Sequence, residues 1–141
     1  MEILYEKKIG VYIKFDTSLF DNQTFTQGGP NMFKSTLPIN KIKLYKEYLV
    51  IEVNFLVGKN LSIKINYSDI ESIDKILFSI KINHTSQEAP IFIFINGATG
   101  ISNSLYKELK NCSKDNNLPL KFNNLSIWES VKYLFKFYFL P

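Results

Sequence analysis

The chain has 141 residues, a net charge of +4 and 45% hydrophobic residues, which suits one domain burying roughly two thirds of its unfolded surface without a disulfide or metal. Its basic residues are seventeen lysines and one histidine, with no arginine. That removes the preferred bidentate partner of phosphates and guanines, and the scattered lysines form no concentrated basic patch, which excludes nucleic acid as an expected partner. The lone Cys112 cannot form an internal bridge and points to a reducing, cytoplasmic setting. The charged N-terminus, "MEILYEKKIGVYIKF", lacks the apolar core of a secretory signal, so the mature chain is expected to start there. No segment reaches the ~20 apolar residues of a membrane-spanning helix.

In chain order, Ile9, Val11, Ile13 and Phe15 alternate with other residues and predict a strand. Gly28, Gly29 and Pro30 in "TQGGPN" punctuate a loop. Ile42 and Leu44 alternate with Lys41, Lys43 and Tyr45 up to a turn near Lys46 and Glu47. Leu49, Ile51, Val53 and Phe55 then alternate with Val50, Glu52 and Asn54. After a turn at Gly58-Lys59-Asn60, Leu61, Ile63, Ile65 and Tyr67 form an inward set against Ser62, Lys64 and Asn66. Connections this short cannot hold crossover helices, so the pattern predicts an antiparallel meander.

The next stretch, "SDIESIDK", admits three readings. Ser68-x-x-Glu71 is a capping box ahead of spaced isoleucines, the signature of a helix start. Asp69, Glu71 and Asp74, with Lys75 and the single histidine His84 nearby, could be an acid/base cluster. Paired acid catalysis, however, needs carboxyl groups converging on a pocket, and nothing in the sequence builds one. The strands before and after must pair in an antiparallel sheet for the fold to be consistent. The stretch is therefore read as a bend, with Asp69 forming the turn and Glu71, Asp74 and Lys75 as a solvated edge.

Ile80 and Ile82 continue the alternation. Pro90 precedes "IFIFI", whose β-branched and aromatic run predicts a strand buried on both faces. "NGATG" leads into a helix capped by Thr99 or Ser102, with Leu105, Leu109 and Cys112 as its apolar stripe and Asn116, Asn117 and Pro119 as its stop. His84 at a strand end reads as a rim or turn residue, since no ligand set stands at metal spacing; no metal or cofactor is expected. Gly97-Ala98-Thr99-Gly100 lacks the residues of a phosphate loop, and no nucleophile signature appears. The tail "LSIWESVKYLFKFYFLP" reads as a second helix capped by Ser126, with Glu129, Lys132 and Lys136 as one narrow polar stripe. Ile127 to Leu140 would span only about 21 Å, short of the roughly 30 Å hydrocarbon core. The segment is expected to pack on the domain, bind a partner or lie in a membrane interface.

The runs "KIKLYKEYLVIEV", "LSIKINYSDIESIDK", "FSIKINH", "PIFIFI" and "NSLYKELK", from about Phe33 to Lys110, together resemble the pleckstrin-homology (PH) superfamily, most closely its GRAM and bacterial PH-like branches. The resemblance implies a mainly β fold: an antiparallel β-barrel of about seven strands closed by a C-terminal helix. It divides the chain into a barrel domain over residues 1–117, with its closing helix at about 99–115, and an appended aromatic-rich helix over 118–141. It also implies a non-catalytic binding or assembly module, cytoplasmic and peripheral to the inner membrane face, that takes an anionic lipid or a protein partner. Lys34, Lys41 and Lys43 resemble the basic headgroup signature of the family, with Lys64 joining across the sheet, although the spacing is short and the usual arginine is missing. Trp128, Lys132, Phe135, Lys136 and Phe139 are the candidate partner or membrane interface. Two other readings stay open: a small β-barrel binding a small apolar ligand, with or without hydrolysis of it, which predicts an open cavity lined by Tyr67, and a structural homo-oligomer built through the C-terminal helix.

Overall fold

A computed structural model describes residues 2–14, 32–54, 60–76, 79–90, 92–96 and 102–132. Eight strands form one sheet: β1 (Tyr5–Lys14), β2 (Met32–Leu44), β3 (Tyr48–Asn54), β4 (Asn60–Asn66), β5 (Ile70–Ile76), β6 (Ser79–His84), β7 (Phe92–Asn96) and β8 (Phe122–Asn124). Helix α1 (Ser102–Asp115) follows β7. The sheet order is β4-β3-β2-β1-β7-β6-β5-β8. The first seven strands pair antiparallel, as the short connections required, and β8 adds a parallel edge beside β5.

Two expectations need correction. Among the described residues the strands number eight, because part of the segment assigned to the tail joins the sheet. The sheet is also open: β4 and β8 are its two ends, and no ladder joins them among the described residues.

The periodicity maps onto burial as read. Ile9, Val11 and Ile13 of β1, Leu49, Ile51 and Val53 of β3, and Ile63, Ile65 and Tyr67 in and after β4 are all buried. They share one core with Ile73 of β5, Ile80 and Ile82 of β6, and Ile93 and Ile95 of β7, so the open sheet bends around a common interior. Phe15, Phe55 and the two loop sets at Gly28–Pro30 and Gly97–Gly100 lie outside the described residues. The bend has a visible cause between β1 and β2, where pairing jumps from Ile9↔Asn40 to Val11↔Ser35. Pro38 falls inside this irregularity, where a missing N–H is tolerated.

Helix α1 contributes Leu105, Leu109 and Cys112 to the core, as its spacing predicted, and Tyr106 beside them. Its stop is a Schellman-type turn: Asn117 takes a left-handed φ of 53°, Leu118 N–H donates to the Ser113 carbonyl at 2.9 Å, and Leu118 is buried. That is the geometry in which an asparagine tolerates positive φ. Burial pushes the Cys112 thiol pKa up.

The ambiguous stretch after β4 is a bend. Tyr67–Asp69 makes a single 3₁₀ turn and the chain returns to strand at Ile70. The Tyr67 hydroxyl donates to the Tyr45 carbonyl, and Tyr67 N–H donates to the Glu47 carbonyl at 3.1 Å. These bonds tie the bend to the β2–β3 turn.

Candidate functional site

Alternation puts Lys41 and Lys43 on the outer face of β2, but neither is a free cation. Lys41 Nζ lies 3.6 Å from Glu6 Oε1. Lys43 Nζ lies 3.8 Å from the same oxygen and 2.5 Å from Glu52 Oε1. The ladder explains this: Glu6 faces Lys43 across β1–β2, and Glu52 faces Lys41 across β2–β3. The hydrogen bond to Glu52 raises the Lys43 pKa. Lys64 does not join them. It faces Val50 on β3, and its Nζ sits 4.3 Å from the centroid of the Tyr48 ring. Lys34 pairs with Tyr12 at the far end of β2, beyond the irregularity; its side chain lies outside the described residues. Lys41 and Lys43 are therefore engaged by carboxylates and Lys64 by an aromatic ring.

A cleft of about 420 Å³ opens on this outer face, lined by Ile39, Lys41, Glu52, Asn54, Asn60 and Ser62. It is not the interior cavity that a small apolar ligand would need. Tyr67, expected to line such a cavity, is 3% exposed within the packed core. Behind the cleft, Asn40 is fully buried, and its Oδ1 accepts a bond from Asn54 N–H at 2.8 Å. Its Nδ2 has no partner among the described residues. Sequence reasoning missed this amide, since one polar letter at an inward position of a strand carries no warning of its burial.

The carboxylates separate by environment. Glu71 is exposed, as expected of a solvated edge. Asp74 is not, which corrects the solvated reading: it is 6% exposed. Asp74 Oδ2 accepts from Asn83 Nδ2 at 2.7 Å, and Oδ1 accepts from Asn123 Nδ2 at 2.9 Å. The carboxylate thus ties β5 to β6 and β8 together. The signal missed was register, because Asp74 stands opposite the buried Lys81 on the face that β8 reaches. His84 is a turn clamp. Its Nδ1 accepts from Ser86 N–H at 3.1 Å, so its Nε2–H donates to the Pro90 carbonyl, 2.6 Å away. Among the described residues, no three His, Cys, Asp or Glu side chains come together as a metal site.

The tail begins with β8 and continues as a helix over residues 127–132. Ser126 caps it as expected: its Oγ accepts from Glu129 N–H at 3.2 Å, and Glu129 Oε1 accepts from Ser126 Oγ at 3.0 Å. The polarity of this helix is inverted. Ser130 is fully buried, whereas Ile127, Trp128 and Val131 are 75%, 68% and 45% exposed. Lys132 Nζ lies 5.6 Å from the Trp128 ring centroid. The spacings i, i+1 and i+4 put the three apolar side chains on one face, with the lysine beside them. Phe135, Lys136 and Phe139 lie outside the described residues. Among the described residues, no helix is long and apolar enough to cross a membrane. No family model, curated protein or solved structure matches this chain at a significant level.

Proposed function

We propose that this chain is a non-catalytic PH/GRAM-like module that attaches to anionic membrane surfaces through the start of its tail helix. The observation that carries the reading is the inverted helix. An exposed apolar face of a helix normally turns to the core, and here Ile127, Trp128 and Val131 face outward while Ser130 faces in. Tryptophan with aliphatic neighbours and an adjacent lysine suits the headgroup boundary, where the ring and the aliphatic chains enter the acyl edge and the ammonium meets anionic lipid. The net charge of +4 favours the same surface.

The PH/GRAM-like part rests on the strand order, with seven antiparallel strands running β4-β3-β2-β1-β7-β6-β5 and a helix after the seventh. A core filled by aliphatic side chains and the α1 stripe supports a binding module over a small-ligand barrel. Binding by surface attachment also accords with polar groups already engaged in structure: Asp74 on two asparagines, and His84 on its own turn.

Vesicle co-sedimentation tests the reading. Binding is expected to vesicles containing anionic lipid, to weaken with salt, and to be lost in Trp128→Ser and Ile127→Ser variants that keep the parent melting temperature. Equal binding to neutral vesicles, or binding unchanged in both variants, overturns it.

A further inference from the structure

The two ends of the sheet are treated differently. At one end β8 covers β5 with three residues, bracketed by Ile73 N–H donating to the Lys121 carbonyl at 2.8 Å and Leu125 N–H donating to the Lys75 carbonyl at 3.1 Å. At the other end β4 runs for seven residues, Asn60–Asn66, paired to β3 without a register break. It contains no proline, and no strand lies beyond it among the described residues. Long, regular edge strands are templates for further pairing, and proteins guard them with proline, bulges or an outward lysine. The only charge on β4 is Lys64, and its ammonium is drawn back over Tyr48 of β3, away from the edge.

We infer that β4 is a self-association edge, pairing antiparallel with β4 of a second copy about a two-fold axis through Ile63. The residues of β4 choose the occupant. Centred on the middle of the strand, this register pairs all seven residues: Asn60 faces Asn66 of the second copy, Leu61 faces Ile65, Ser62 faces Lys64, and Ile63 faces its own equivalent. The inward set therefore meets only aliphatic residues, and the half-exposed Leu61 gains a cover. No like charges stand directly opposite. The two Lys64 residues are diagonal neighbours, each held over its own tyrosine. A shift that centred on Lys64 would oppose the two lysines, and a shift by one residue would set apolar against polar faces. Such an interface is isologous and closes at two copies. It uses no residue of the tail helix and stands independently of membrane attachment.

Ser62 offers a test in which folding and association move in opposite directions. Within one copy Ser62 faces Glu52, and across the inferred axis it faces Lys64. Ser62→Lys therefore adds an opposite-charge pair inside the monomer and sets two like-charge pairs across the axis. Ser62→Glu does the reverse. Sedimentation equilibrium on the full chain over a wide concentration range, beside thermal melts, reads both effects. The wild type is expected to dimerise. Ser62→Lys should weaken the dimer roughly two- to thirtyfold, from two symmetric cross-strand pairs, without lowering the melting temperature at dilute concentration. Ser62→Glu should tighten it by a similar factor while slightly lowering that temperature. A wild type that stays monomeric, or a dimer that ignores both substitutions, overturns the inference.

Discussion

Replacing Asp74 by alanine should be among the most damaging single changes to a polar residue in this chain. The side chain is 6% exposed and receives Asn83 Nδ2 at 2.7 Å and Asn123 Nδ2 at 2.9 Å. A hydrogen bond to a charged group contributes roughly 1.5–3 kcal/mol, so the two bound the loss at about 3–6 kcal/mol. Two effects reduce it. Removing the carboxylate relieves its own desolvation, which is of order several kcal/mol for a buried ion. The donors are also not wholly stranded, because Asn83 Nδ2 keeps Ser72 Oγ at 2.9 Å and Asn123 is half-buried and can meet water. A net loss of about 2–3 kcal/mol is expected, or roughly 5–12 °C in melting temperature for a chain of this size. Urea unfolding measures it. Asp74→Asn keeps the shape but turns an amide NH₂ toward an asparagine NH₂, so it should be nearly as destabilising. Hydrogen exchange should show β8 and its flanks opening first, since Asp74 is their side-chain tie to β5. A loss under 0.5 kcal/mol in both variants, or exchange no faster at residues 121–125, would refute the latch.

Other substitutions probe the remaining contacts. Lys41→Gln with Lys43→Gln should leave vesicle binding nearly intact, because Glu6 and Glu52 already occupy both ammonium groups, and co-sedimentation of the double variant checks it. The same pair should change stability little, and by less as salt is added. The hydrogen bond from Lys7 at 2.6 Å, reinforced by its charge, holds the Glu108 pKa below the usual carboxylate range. A carboxylate lowered on folding adds stability that is present above its unfolded pKa and lost as pH falls through its folded one. Melting temperature against pH should therefore fall less steeply on the acid side in Glu108→Gln than in the wild type. Native Cys112, buried and with its thiol pKa raised, should react slowly with a thiol reagent and promptly in denaturant.

How far the sequence spoke depended on the period of its pattern. Strands whose apolar residues alternate, such as Ile9-Val11-Ile13 and Leu49-Ile51-Val53, were legible because burial of one face follows directly from the pleat. Helix α1 was legible from Leu105, Leu109 and Cys112, and its end from Asn117. The eighth strand was not, because Phe122–Asn124 is three residues long and its pairing with β5 depends on a contact about fifty positions away in the chain. Asp74 was misread for the same reason: its burial comes from β8 and β6, not from its neighbours in sequence. The lysine ladder was half legible. Alternation placed Lys41 and Lys43 outward, but their pairing with Glu6 needed the β1–β2 register. The tail's apolar content was plain, whereas its direction was not, since "SIWESV" gives no hint that Ser130 turns in and Trp128 out.

Trp128 is the only tryptophan in the chain and is 68% exposed at the centre of the proposed attachment face. Its fluorescence therefore reports on that face without interference from any other indole. Titration with vesicles containing anionic lipid should shift its emission to shorter wavelength and shield it from an aqueous quencher, with neutral vesicles leaving both unchanged. Emission and quenching that stay at their free-protein values while the protein co-sediments with anionic vesicles would contradict attachment through the tail helix.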